Sequence, residues 1–175
     1  MAEEKEKTTT TTTAPKKEVS KEDKEFDELC KKYERLEPLT ARVILADKAS
    51  TLIPALNAIT EGETSGVEIF SLFILVTIAA DGKFSDGEYE ALLPSMRAFF
   101  GEDEEIPSYE DCVKRLDSLK KEEAQAKKEL NDFVDEIGKF SPAMKEDLIV
   151  VALIICSIDH KISAREKAWI KKLIA

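Results

Sequence analysis

Residues 75–93 and 153–173 read LVTIAADGKFSDGEYEALL and LIICSIDHKISAREKAWIKKL. Each stretch begins with an apolar run, passes through an acidic turn and ends in an amphipathic segment. An offset of about 78 residues aligns the two, and it pairs similar side chains: Asp81 with Asp159, Ser85 with Ser163, and Glu88 with Glu166. Self-similarity of this kind indicates a duplicated supersecondary unit. The repeat therefore predicts two related helix-turn-helix halves.

The turn in each half is specified by the chemistry of helix ends. Gly82 suits the left-handed conformation that closes a helix, whereas His160 must adopt it with a side chain. In both turns a serine precedes a glutamate by three residues, which is the spacing of a capping box. In that motif the serine oxygen accepts an amide of the new helix, and the glutamate reaches back to the serine amide. A new helix is therefore predicted after Ser85 and after Ser163.

The rest of the chain is also predicted to be helical. No segment alternates convincingly as a strand, and only six glycines serve 175 residues. An all-α bundle of about seven to nine helices follows. Pro54 is expected to disturb its helix, and Gly138 is expected to close another. The predicted helices cover residues 21–36, 40–50, 52–59, 67–80, 85–100, 108–137, 141–158 and 163–175.

Composition divides the chain into a tail and one domain. Residues 1–19 hold a six-threonine run and almost no large apolar side chain. Such a segment cannot bury enough surface to offset its ordering entropy, so it is predicted to be disordered. Residues 20–175 are predicted to form a single helical domain. Residues 102–128 stand out within it as a charged helical insert between the two halves.

The net charge limits the classes of binding partner, and the number and spacing of the cysteines indicate the cellular compartment. Lys and Arg total 26 against 36 Asp and Glu, a net charge of −10, which disfavours nucleic acid and anionic membranes as partners. The three cysteines, Cys30, Cys112 and Cys156, are far apart and odd in number, which predicts free thiols in a reducing compartment. The longest apolar runs are shorter than a membrane span. The expected location is the cytoplasm.

The motifs AADGKFSDGEYEAL at 79–92 and SIDHKISAREKAWI at 157–170 resemble the repeated signature of the TerB-like family. That resemblance covers about residues 40–175. It implies an all-helical bundle of two halves without known catalysis. It also implies a divalent cation, Ca²⁺ or Mg²⁺, bound by acidic residues of the paired turns, which here are Asp81, Glu88, Asp159 and Glu166. The chain departs from the family pattern at His160, where glycine is usual, and in the charged insert.

Other interpretations of these residues stay open. The four acids can serve only as turn and capping groups. The DGKFSDGE stretch imitates half of an EF-hand loop, but Thr77 and Ala79 stand where that loop needs acids. His160 is the only histidine, and a turn residue in place of glycine describes it better than a base or ligand. Trp169, Phe99 and Phe100 are expected in the core rather than in a docking patch.

The motifs of common enzyme chemistry are missing from the sequence, which holds no phosphate-binding loop, nucleophile elbow or dinucleotide fingerprint. The first hypothesis is therefore a non-enzymatic TerB-like module of a stress response such as tellurite resistance. It would act in protein interaction or sensing, with a protein partner and a divalent cation at its turns. The second is a purely structural interaction scaffold without metal. A metal-dependent hydrolase is the weakest alternative.

Overall fold

The computed structural model describes residues 20–61, 65–80, 84–87, 89–90, 92–93, 108–121 and 123–175. Within these ranges the chain is helical and contains no strand, which confirms the predicted all-α class. The predicted tail, residues 1–19, lies outside the described residues, as do Phe99 and Phe100. The longer helices are α1 (Lys21–Glu34), α2 (Pro38–Ile59), α3 (Gly66–Ile78), α4 (Tyr109–Lys121), α5 (Glu123–Phe140), α6 (Pro142–Cys156) and α7 (Ala164–Ile174).

The two most apolar helices, α3 and α6, form the centre of the bundle, as predicted for buried helices. They pack against each other, and α2 packs against both. Helices α5 and α7 cover other sides of α6. The side chains at their contacts are almost entirely removed from water, so the hydrophobic effect supplies the main driving force for this arrangement. The largest fully buried ones include Leu45, Leu52, Phe70, Phe73, Leu148, Ile154 and Ile170.

Serine caps set several of the helix starts. The Ser141 side chain accepts a hydrogen bond from the Met144 amide at 3.3 Å, and Pro142 occupies the first helical position. Ser163 and Glu166 form the complete capping box at the start of α7. Ser108 accepts from the Asp111 amide at 3.2 Å before α4. These starts agree with the sequence prediction, because each cap is decided by residues three positions apart.

The predicted division of residues 40–59 into two helices was wrong. The segments expected as separate helices at 40–50 and 52–59 form one helix of 22 residues, α2, with Pro54 inside it. Pro54 removes only one amide donor, and its exposed position leaves the ring on the solvent side. The buried face of α2 outweighs that local cost. Pro38 occupies the first turn of α2, where its missing N–H costs nothing.

The prediction that Gly138 closes a helix was also wrong. Helix α5 continues to Phe140, and Gly138 lies inside it. A Cβ at this position would come within 2.6 Å of Cδ of Lys145. Lys145 in turn pairs with Asp135 of α5 at 2.9 Å. Gly138 thus lies inside α5, where the Lys145 side chain of α6 passes close to it, a contact that periodicity along one helix does not reveal.

Four further features bear on the predictions. Trp169 is 3% exposed and belongs to the core, as expected. Cys30, Cys112 and Cys156 are all buried, and none of the three is disulfide-bonded. Among the described helices, none combines the length and the apolar character that crossing a membrane requires. The charged insert is helical at 108–121 and 123–128.

Candidate functional site between the two turns

The second turn connects α6 to α7 and carries the predicted ligand Asp159. The Ser157 amide donates to the carbonyl of Leu153 at 3.1 Å, which closes α6. His160 then adopts the left-handed conformation at φ 63°, as predicted, and its amide donates to the Ser157 carbonyl at 2.8 Å. Asp159 is exposed, and its Oδ1 accepts from the Lys161 amide at 3.0 Å. The aspartate therefore already stabilises the turn.

The second predicted ligand in this turn, Glu166, is buried at 5% exposure. Its Oε2 accepts from the Ser163 amide at 2.6 Å, and the Ser163 hydroxyl accepts from the Glu166 amide at 3.3 Å. A carboxylate in this position also interacts favourably with the positive end of the α7 dipole. The capping role that the sequence predicted for Glu166 is thus confirmed.

Helix α1 holds the second turn from outside. The Glu34 side chain accepts from the Ile162 amide at 2.9 Å, and the Glu34 carbonyl lies 3.3 Å from Nδ1 of His160. Sequence reasoning missed Glu34. It is separated from Ile162 by 128 residues, so no local spacing pointed to the contact.

Two ion pairs continue this attachment along α7. Lys167 contacts Asp27 at 2.9 Å, and Lys171 contacts Asp23. Lys171 also lies over the ring of Phe26, 5.1 Å from its centroid. Hydrogen bonds from Lys171 and Lys167 lower the pKa of Asp23 and of Asp27, respectively, and the charges of the same lysines add to the effect. Two ion pairs thus join α1 to α7, in addition to the burial of Phe26 and Cys30 of α1 in the core.

The lowered pKa values predict how this attachment depends on pH. Because the folded-state pKa of Asp23 and Asp27 lies below that of the unfolded chain, about 3.9, their contribution is complete above about pH 5. It is lost as the pH falls through the lowered values. We expect the D23N/D27N double variant to unfold at lower urea concentration than the unmodified protein at pH 7. The difference between the two proteins should shrink as the pH is lowered below about 4.

The matched control for this prediction is Glu25→Gln. Glu25 is exposed on α1 and pairs with Lys21 of the same helix at 3.5 Å. It should leave the pH dependence of urea unfolding unchanged. A difference between D23N/D27N and the unmodified protein that persisted unchanged at pH 2 would contradict the role of these charges.

The first turn is held by α4 in a different way. The Tyr109 hydroxyl donates to the Phe84 carbonyl at 3.0 Å, and the two rings stack with centroids 5.5 Å apart. Tyr89 meets Phe84 edge-on at 6.3 Å. The remaining predicted ligands, Asp81 and Glu88, lie outside the described residues. The structure therefore describes half of the predicted metal set.

The two turns meet at one pocket of about 210 Å³. Ser85 and Gly87 line it from the first turn, and Asp159 and His160 line it from the second. Arg42 of α2 adds a cationic group to the same lining. The apolar part of the wall comes from two segments of the chain, 36–45 and 154–158. Its side chains are Leu36, Pro38, Ala41, Leu45, Ile154 and Ile158.

The lining of this pocket combines apolar and polar groups. An apolar wall with a few polar groups at its rim is the usual composition of a ligand pocket. In the described part of the chain, no group of three or more His, Cys, Asp or Glu side chains is placed to hold a metal ion. No family model, curated protein or solved structure matches this chain.

Proposed function

We propose that this protein is a non-enzymatic, TerB-like helical module that acts by binding, and that its recognition surface is the pocket between the two turns. One observation carries the proposal: Ser85 and Gly87 share this pocket with Asp159 and His160. Residues from the two halves of the repeat thus form a single surface. The sequence repeat, the acidic turns and the pocket support an interaction or sensing role in a stress response, with a protein partner and in the cytoplasm.

The proposed ligand of the turns is a divalent cation, Ca²⁺ or Mg²⁺. Hard cations prefer oxygen ligands, and the aligned acids of the repeat are Asp81, Glu88, Asp159 and Glu166. Asp159 is exposed at the pocket, where an added cation has access to it. Binding would order the two turns together and act on the helices that begin there.

A specific observation favours the second candidate, a structural interaction scaffold without metal. Asp159 and Glu166 each accept a backbone amide within their own turn, at 3.0 and 2.6 Å. Both acids therefore have a structural purpose that needs no cation. In this case the turns serve only to join the helices, and partner recognition rests on the apolar wall of the pocket and on the helix surfaces.

Thermal unfolding of metal-stripped protein distinguishes the two candidates. At 100 times its Kd, a bound cation stabilises the folded state by about 2.7 kcal/mol, which for a protein of this size raises Tm by about 5–10 °C. For the sensing module we expect such a rise with Ca²⁺ or Mg²⁺ and its loss in the D81N/D159N variant. The control Asp132→Asn removes an exposed acid of α5 and should keep the rise. No rise with either cation would favour the scaffold.

A further inference from the structure

Helix α2 has an unusual outward face. Only three of its 22 residues are charged, namely Arg42, Asp47 and Lys48, although 35% of the chain is charged. Lys48 already pairs with Asp147 of α6 at 2.6 Å. Leu39 is 73% exposed and Val43 is 62% exposed, more than any other large hydrophobic residue that the structure describes. Two adjacent apolar side chains at such exposure indicate an interaction surface.

The residues of this face follow the spacing of a two-helix seam. Leu39, Val43, Ala46 and Ser50 are separated by four, three and four positions, so they form one stripe along the helix. In a parallel pair of helices these positions face their equivalents in the partner. The side chains of the stripe are large at its start, at Leu39 and Val43, and small at its end, at Ala46 and Ser50. It lies upstream of Pro54 and so spans the part of α2 that keeps its amide donors.

The charged residues flank the stripe on opposite sides. Arg42 and Asp47 are five positions apart, with Arg42 one residue before Val43 and Asp47 one residue after Ala46. When two identical helices pair in parallel, residues with this separation lie opposite each other across the seam and form interhelical ion pairs. An antiparallel pair instead brings equivalent flanks together, so Arg42 and Asp47 would not meet. The charges therefore indicate that the partner helix is a second copy of α2 and that it runs parallel to the first.

We propose that a second copy of this chain binds to the outward face of α2, in a parallel two-fold dimer. Leu39 and Val43 pack on their equivalents, and Arg42 of each subunit pairs with Asp47 of the other. Burial of Ser50 in this seam leaves no orphaned donor, because its hydroxyl already donates to the Asp47 carbonyl at 2.7 Å. The dimer surface and the pocket share Arg42, but the apolar wall that α2 gives to the pocket is formed by Pro38, Ala41 and Leu45, none of which belongs to the stripe.

Sedimentation equilibrium of charge-reversed variants tests the proposal. In Arg42→Glu the seam brings the introduced glutamate against Asp47 twice, and in Asp47→Arg it brings the introduced arginine against Arg42 twice. We expect each variant alone to show a dimer dissociation constant raised about tenfold or more. A mixture of the two should dimerise as well as the unmodified protein, because both cross-pairs are then attractive. The control Lys172→Glu makes the same charge change on an exposed site of α7 and should leave dimerisation unchanged.

Oxidative cross-linking tests the direction of the helices. The native cysteines are all buried, so a new surface cysteine reports the interface. Val43→Cys should form a disulfide-linked dimer readily, since position 43 faces its equivalent in a parallel seam. Thr51→Cys, exposed but off the stripe, should not. A monomer at all concentrations up to several hundred micromolar, or a dimer that neither charge variant weakens, would overturn the proposal. Failure of the mixture to dimerise would also do so.

Discussion

Replacing Gly66 with alanine is expected to destabilise the protein by about 3 kcal/mol or more, one of two strong effects that the packing predicts. Gly66 begins α3 where that helix meets α2. A Cβ at this position would overlap the Ile53 carbonyl oxygen and would lie 2.8 Å from the Asn57 amide nitrogen. Both are backbone atoms of α2, which cannot move aside as a flexible side chain would.

The same contact also carries a hydrogen bond. The Gly66 amide donates to Oδ1 of Asn57 at 2.5 Å, so the two helices are joined at the point where the clash would arise. A single methyl group would thus separate α2 from α3 and disturb the centre of the core. Steric exclusion rather than backbone conformation explains why glycine occupies this position.

Urea unfolding followed by circular dichroism measures the effect. The matched control is Gly87→Ala, since a Cβ there meets only Oγ of Ser85, at 3.9 Å. Gly87 is exposed and helical, so this control should change the free energy of unfolding by less than about 1 kcal/mol. Equal stabilities of the two alanine variants would contradict the close approach of α2 and α3.

Replacing Trp169 with alanine is expected to cost about 3–5 kcal/mol, the usual range for removal of a buried aromatic side chain. Trp169 lies on α7 at 3% exposure, and its indole Nε1 donates to the Thr77 hydroxyl of α3 at 3.4 Å. Thr77 is fully buried and in turn donates to the Phe73 carbonyl at 2.8 Å. The indole thus connects the helix that begins at the second turn to the buried helix of the first repeat.

Trp169→Phe and Thr77→Val separate packing from hydrogen bonding. Phenylalanine retains most of the apolar volume, so we expect about 1–2 kcal/mol for its introduction. Valine at position 77 removes the acceptor of the indole N–H and should cost about 1–3 kcal/mol. Circular dichroism is the appropriate measurement, because Trp169 is the only tryptophan and its fluorescence disappears with it. A loss below about 1 kcal/mol in Trp169→Ala would show that α7 does not pack as described.

Local signals predicted much of the fold because they act over three or four residues. The capping box of Ser163 and Glu166, the start at Ser141 and Pro142, and the left-handed His160 were all read correctly. Each depends on one side chain and a nearby amide, so tertiary context changes little. The two buried helices were equally clear, since a helix that is apolar on every side belongs in the interior of a bundle.

Contacts between distant segments could not be predicted from the sequence. Gly138 was predicted to end a helix, but α5 continues past it, and the Lys145 side chain of the next helix passes close by. A break was predicted between Ser50 and Leu52, although the core holds α2 together through both segments. Glu34 gave no signal at all, since the amide that it accepts belongs to Ile162 at the other end of the chain.

The same distinction between local signals and long-range contacts applies to the candidate site. The all-α class and the capping box of Ser163 and Glu166 at the second turn could be predicted from the sequence, because short-range hydrogen bonds and hydrophobic periodicity depend on neighbouring residues. Only the tertiary structure decided that Ser85 and Gly87 share a pocket with Asp159 and His160, and that α1 covers the second turn. The physical reason is that these contacts join segments whose separation along the chain carries no periodic signal, and only packing of the core brings them together.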